Sequence, residues 1–308
     1  MRAAETVRSG LTARQSDPFG RAFQVSLWVA VLATVAILGV LIFDVVTHGW
    51  GVLAGETGDF LTGRLGSQPE NSGLGQAIRG TFYIGVFVVV LTFPLGIAAA
   101  IYLEEYAQHG RLNSLISVAI RNLAGVPSVV YGILGLTIFV KALGSVTGPD
   151  ANGRTVVSAG LTLSILVLPI VIITAAEALR AVPNGIREGG FGVGATRWEV
   201  VRSHVLPYAA PGILTGTVIA LARALGEAAP LILVGATTGF LTGGESFLPD
   251  SLRERFTALP IVISTWSGRP GEDWAASTSA AIVVLLVIVF AANLAAIVLR
   301  NRFERGRR

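Results

Sequence analysis

The chain is 308 residues long, 52% apolar and 14% charged, with a formal net charge of +4 and a mean hydropathy of +0.69. A soluble domain is about 25% charged, so this composition excludes a soluble enzyme, a collagen-like chain and a disordered tail, and points to a bilayer as solvent. Cysteine is absent and the three histidines (His48, His109, His204) are scattered, which excludes disulfides and thiol catalysis and leaves no metal-ligand spacing.

Six apolar runs have close to the ~20 residues that a membrane-crossing helix needs. Phe23–Phe43, Gly80–Leu103, Leu123–Val140, Val156–Ala176 and Ala275–Leu299 contain no Asp, Glu, Lys or Arg, whereas Gly212–Ala236 contains Arg223 and Glu227. None alternates at period two, as strands of a membrane barrel would. The first run follows Arg2, Arg8, Arg14 and Arg21. It exceeds the ~7–15 residues of a signal core and no small-residue cleavage site closes it, so it reads as an uncleaved span. The chain thus divides into an N-terminal segment over 1–22, a first span over 23–46, a five-helix core over 77–300 and a basic tail over 301–308.

Six spans put both termini on one side. With that side cytoplasmic, inner segments hold 15 of the 23 Lys and Arg, outer segments hold seven, and Arg223 lies within a span. The rule that inner loops are positive gives cytoplasmic termini in a cell (inner) membrane. This topogenic clustering also accounts for the basic pI without a nucleic-acid partner. Among the outer loops, that from Thr237 to Trp274 includes ALPIVISTWSGRP (Ala258–Pro270), too short to span and expected to dip back as a re-entrant or interfacial element. Trp50, Trp266 and Trp274 read as interfacial anchors.

The inner segment Glu177–Pro207 reads EALRAVPNGIREGGFGVGATRWEVVRSHVLP. Pro183-Asn184-Gly185 ends the fourth span, a short helix starts near Ile186, the glycine cluster (Gly189, Gly190, Gly192, Gly194) breaks it, and a second piece runs over Ala195–Leu206 until Pro207. Trp198, Val201 and Val205 would form one apolar stripe on that piece, suited to a membrane surface or a partner's groove. Such an amphipathic loop is compatible with many transporters. Its spacing, however, resembles the Glu-Ala-Ala loop of the permeases of ATP-binding-cassette importers. Glu188-Gly189-Gly190, then Gly194, then His204-Val205-Leu206-Pro207 stand in the motif's positions, with glycines for both alanines and His204 for an isoleucine. The resemblance implies an all-α membrane fold, the six-helix MetI-like bundle of type I importers. It assigns Glu188, Gly189, Gly190, Gly194, Leu206 and Pro207 to a loop that docks on an ATPase. The sole lysine is Lys141, followed by Ala142, so the chain has no P-loop of its own. ATP and magnesium would therefore sit on the partner ATPase, and the chain would bind no cofactor and catalyse nothing itself.

Arg223 and Glu227 stand at i, i+4 between apolar turns, where each charge costs ~2.5–3.5 kcal/mol at mid-membrane on the insertion scale. They can pair across one helical turn, and Pro230 is expected to bend the helix beyond them. Either the pair fixes helix rotation, or the arginine's rigid two-pronged donor set receives an anion. RALGEAAP (Arg223–Pro230), IYLEEYA (Ile101–Ala107), GVPSVVYGILG (Gly125–Gly135) and ALPIVISTWSGRP resemble segments of phosphate-specific importer permeases. Glu104-Glu105 and the re-entrant segment resemble the PstA type. That resemblance implies that Arg223 and Glu227 line the transport path. It also implies a heterodimer with a second, PstC-type permease, two copies of a PstB-type ATPase and an extracytoplasmic PstS-type phosphate-binding protein. Glu104-Glu105 reads as a solvated pair at the membrane edge or a latch on the partner permease. A permease for sulfate, molybdate or another oxyanion, an ion-coupled secondary transporter, and an intramembrane hydrolase are the competing readings. The secondary transporter would need inverted repeats, and the hydrolase a nucleophile and base at span depth.

Overall fold

A computed structural model describes residues 18–55, 57–107, 110–237 and 252–305. Among them all regular structure is helical. Most of the N-terminal segment, part of the third outer loop and the last residues of the tail lie outside the described residues. Helix α1 (Pro18–Gly55) is apolar on every side, with exposed Phe23, Trp28, Val35 and Leu41, the pattern of a helix made for hydrocarbon. The chain divides into two units between Thr47 and His48.

The second unit is built on α2 (Gly75–Tyr106), α3 (Arg111–Ala124), α4 (Ser128–Ala142), α5 (Val156–Arg180), α6 (Asn184–Gly192), α7 (Arg197–Gly226), α8 (Ala229–Val234), α9 (Leu259–Trp266) and α10 (Glu272–Arg305). Helix α5 is its centre. Ala159, Leu163, Val167, Val171, Ala175 and Leu179 are all buried, a repeat of four that lays one face along α2 and α7. Lipid is as apolar as leucine, so helix association here depends on close van der Waals fit. Glycines supply the fit. A methyl group on Gly135 of α4 or Gly216 of α7 would collide with Thr162 or Thr174 of α5. The hydroxyls this approach buries return to their own helix: Thr162 donates to Ser158 O at 2.7 Å and Thr174 to Ile170 O at 2.9 Å. Thr155 caps the start of α5 through Ser158 N.

Five helices are long and apolar enough to cross a membrane among the described residues, and six if one bent pair is taken as a span. That pair corrects the third expected span. Instead of one helix over Leu123–Val140, α3 and α4 meet at 99°. Proline disfavours helical geometry in the residue before it, so Gly125-Val126-Pro127 makes the corner, and Tyr131 Oη donates to Leu123 O at 2.8 Å across it. Helix α3 buries no residue; Leu112, Leu115 and Leu123 are exposed and Arg111 and Arg121 stand towards its ends, the pattern of a helix lying in an interface.

Two prolines act differently from expectation. Pro207 does not end its helix: α7 passes through a π-helical turn, Val201–Val205, and continues to Gly226. The wider turn has room for a ring that would clash with a carbonyl of a regular helix. Pro230 does not bend a helix but starts α8, where its missing N–H costs nothing.

The segment expected to dip back does so as α9, buried against α2 and α10. Leu259 N donates to Thr81 Oγ1 at 2.9 Å, and Gly80 leaves space for Thr257 O. Trp266 and Trp274 are core residues rather than membrane anchors: Trp266 is 2% exposed and Trp274 8%, their rings tilted against each other 5.4 Å apart with Arg269 over Trp274. Trp50 is exposed, as an anchor would be. Gly49, beyond the division, packs on the backbone of Ala280 in α10.

Candidate functional site

Two groups of side chains stand out. The first is the charged pair. Helix α7 ends at Gly226, so Glu227 lies just past the helix in extended geometry rather than within a continuous span. The pair forms nonetheless: Glu227 N still donates to Ala224 O, and Arg223 Nε meets Glu227 Oε1 at 3.3 Å. Arg223 is 48% exposed and Glu227 19%. Nε of the guanidinium therefore meets the carboxylate while about half of the Arg223 side chain stays exposed, in the apolar second half of α7. The break after Gly226 lets α8 turn onto α4, where Gly132 admits Pro230 and Leu233. The pair is thus held at a fixed joint.

The second group is the loop between α5 and α7. Helix α6 includes Glu188, Gly189, Gly190 and Gly192, so the glycine cluster permits the helix and ends it only at Gly192. Glu188 and Gly189 are exposed, and space is open at Gly189, while Gly190 is buried with Val200 against the position of its missing Cβ. Gly194 has φ +84°, a left-handed geometry that ends helices and suits glycine; its N–H donates to Phe191 O at 2.9 Å. Thr196 and Glu199 then form a reciprocal cap that starts α7, with Thr196 N donating to Glu199 Oε2 at 2.7 Å. Leu206 is half-buried and Pro207 exposed just beyond the π turn. The expected stripe is corrected: Val201 and Val205 are buried as expected and joined by Val200, while Trp198 is exposed. Phe191, Val193 and Trp198 leave apolar surface on the outside of the loop.

The loop is tied to α2 by residues that the sequence reading placed elsewhere. Glu104 and Glu105 are neither free at a membrane edge nor reserved for another chain. Glu104 accepts from Arg180 Nε at 3.3 Å, and Glu105 accepts from Arg187 Nη2 at 2.7 Å. Arg187 also donates to the carbonyls of Leu179 and Val182 at 2.9 and 2.7 Å, satisfying acceptors at the end of α5. Arg197 lies 5.6 Å above the Tyr106 ring. The available signal was charge: adjacent glutamates and four loop arginines fall on the same side of the bilayer in the expected topology. Among the described residues, no group of three or more His, Asp or Glu side chains could hold a metal.

Long apolar helices notched together by glycine, with a jointed loop at one end, define a multi-pass helical membrane protein. Residues 92–308 match the family described as binding-protein-dependent transport system inner membrane component, and the chain belongs to that family of multi-pass inner-membrane transport proteins. It is 31% identical over 271 residues to the phosphate transport system permease protein PstA 1 of Mycobacterium tuberculosis, covering 87% of this chain and 83% of that protein. It is 30% identical over 246 residues to the probable ABC transporter permease protein YqgI of Bacillus subtilis, covering 77% and 81%. Its fold is similar to a chain of the bacterial alginate ABC transporter solved with a pentasaccharide-bound periplasmic protein, with TM-score 0.61 at 18% identity over 92% of this chain and 96% of that one.

Proposed function

We propose that this chain is the PstA-type permease of an ATP-driven importer of inorganic phosphate. It forms half of the pathway with a PstC-type second permease, takes phosphate from a PstS-type extracytoplasmic binding protein, and is driven by two PstB-type ATPases that carry ATP and magnesium. Its termini are cytoplasmic. Glu188, Gly189, Gly190, Gly194, Leu206 and Pro207 belong to the loop that seats on an ATPase, where exposed Phe191, Val193 and Trp198 offer the apolar contact. The relatives named as phosphate permeases support the substrate.

The observation that carries this reading is the half-exposed Arg223 beside Glu227 on a helix of spanning length. A charge facing lipid there costs several kcal/mol, so this face borders a wet pathway or another polypeptide. The guanidinium keeps its proton and can receive two phosphate oxygens at once. The chain gates the path and the ATPases perform the chemistry: ATP-bound partners need only favour one bundle state by a few kcal/mol.

The test is copurification of the complex followed by ATP-dependent phosphate uptake in vesicles. Arg223→Gln is expected to lower uptake about tenfold or more, because a charge-assisted pair with the anion is lost. Normal uptake by that variant would remove the anion role, and recovery of no ATPase would remove the importer reading.

A further inference from the structure

The inner end of α2 is occupied in a way that none of the roles above explains. Its last turn, Tyr102–Tyr106, is π-helical, closed by Ala107 N donating to Tyr102 O at 2.7 Å. Such turns are rare and frequently sit at functional sites. Three consecutive side chains of this turn each engage an arginine from a different part of the loop between α5 and α7. Glu104 takes Arg180 at the end of α5, Glu105 takes Arg187 of α6, and the Tyr106 ring lies under Arg197 at the start of α7.

These contacts are unequal. Arg180 is 58% exposed, so its ion pair is a weak, solvent-screened link. Arg187 and Glu105 are 19% and 9% exposed. Arg187 directs its remaining donors to Leu179 O, Val182 O and Asn184 Oδ1. One guanidinium therefore joins α6, the end of α5 and the end of α2, with each polar group in the joint satisfied. Direct chain connection already couples the loop to α5 and α7, the helices it joins. Nothing covalent couples it to α2.

We infer that Arg187 and Glu105 form the strut through which movement of the loop is passed to α2, with Glu104 and Tyr106 as weaker guides. Arg187 is a positioning residue: it touches neither phosphate nor nucleotide and acts by making α6 and α2 move as one piece. The inference rests on the reading of this loop as the seat of the ATPase.

The experiment uses the whole reconstituted complex and measures phosphate moved per ATP hydrolysed. Arg187→Gln and Glu105→Gln are each expected to leave ATP hydrolysis within about twofold of the parent while lowering phosphate transported per ATP roughly tenfold, as removal of one partner of a mostly buried charged pair should. Glu104→Gln is expected to change that ratio less than twofold or so. The chain has no cysteine, so Glu105→Cys with Arg187→Cys can be joined by a short bis-maleimide spacer. Cross-linking should restore transport per ATP to that double variant, a result that a damaged fold would not give. The inference is overturned if transport and hydrolysis fall together, if neither changes, or if the cross-link abolishes the remaining transport. A parent complex that neither binds an ATPase nor imports phosphate would instead overturn the proposed function.

Discussion

At the scale of single residues, Glu227 poses the sharpest question, since a carboxylate beside the expected path of an anion is repulsive unless it does something specific. Phosphate near neutral pH retains a proton that Glu227 can accept as a hydrogen bond, and sulfate has none to give. Glu227→Gln should therefore narrow the preference for phosphate over sulfate by about tenfold, the worth of one charge-assisted hydrogen bond; competition of sulfate against labelled phosphate uptake measures it, and an unaltered preference would rule the discrimination out. Gly194 offers a second test. Its φ of +84° makes alanine cost ~1–2 kcal/mol there, whereas Gly189 has open space where its Cβ would be. Gly194→Ala should reduce the ATPase recovered with the membrane subunits, and Gly189→Ala should not. Both glycines were legible as a motif, but only the backbone distinguishes the one that needs to be glycine. Arg187 was illegible as a joint because its partner Glu105 is 82 residues away, and no local spacing records such a meeting.

At the scale of elements, hydropathy located the long helices well and failed where local geometry breaks a run. Leu123–Val140 is uniformly apolar, and a sliding average cannot register that Pro127 turns the chain by nearly a right angle. The α4 part that remains is about 22 Å long, short of the ~30 Å of hydrocarbon. On the first turns of α7, Val201 and Val205 are buried as a helical period expects, and apolar character alone did not record that Trp198, one turn earlier, faces outward. Helix packing itself is testable. Gly135→Val would drive its side chain into Thr162, an overpacking expected to cost ~1–3 kcal/mol. A lower temperature of half-inactivation for the purified complex, with Thr162→Ala partly correcting it, is the expected outcome.

At the scale of the whole molecule, composition pointed to the class, because the bilayer constrains it strongly, and charge asymmetry gave the expected orientation. The proposed pathway was less legible, since the mark it rests on is a half-exposed charge in an apolar stretch of α7. The notches along α5 carry one more consequence. Gly96 of α2 meets Val171, Gly135 of α4 meets Thr162, Gly216 of α7 meets Thr174, and Gly160 of α5 itself meets Phe87 of α2. Sliding any of these helices by one turn would carry each glycine off its opposite bulge and set side chain against side chain. Such teeth mesh in a single register. The helices around α5 are thus keyed against sliding, as a lock is by its wards.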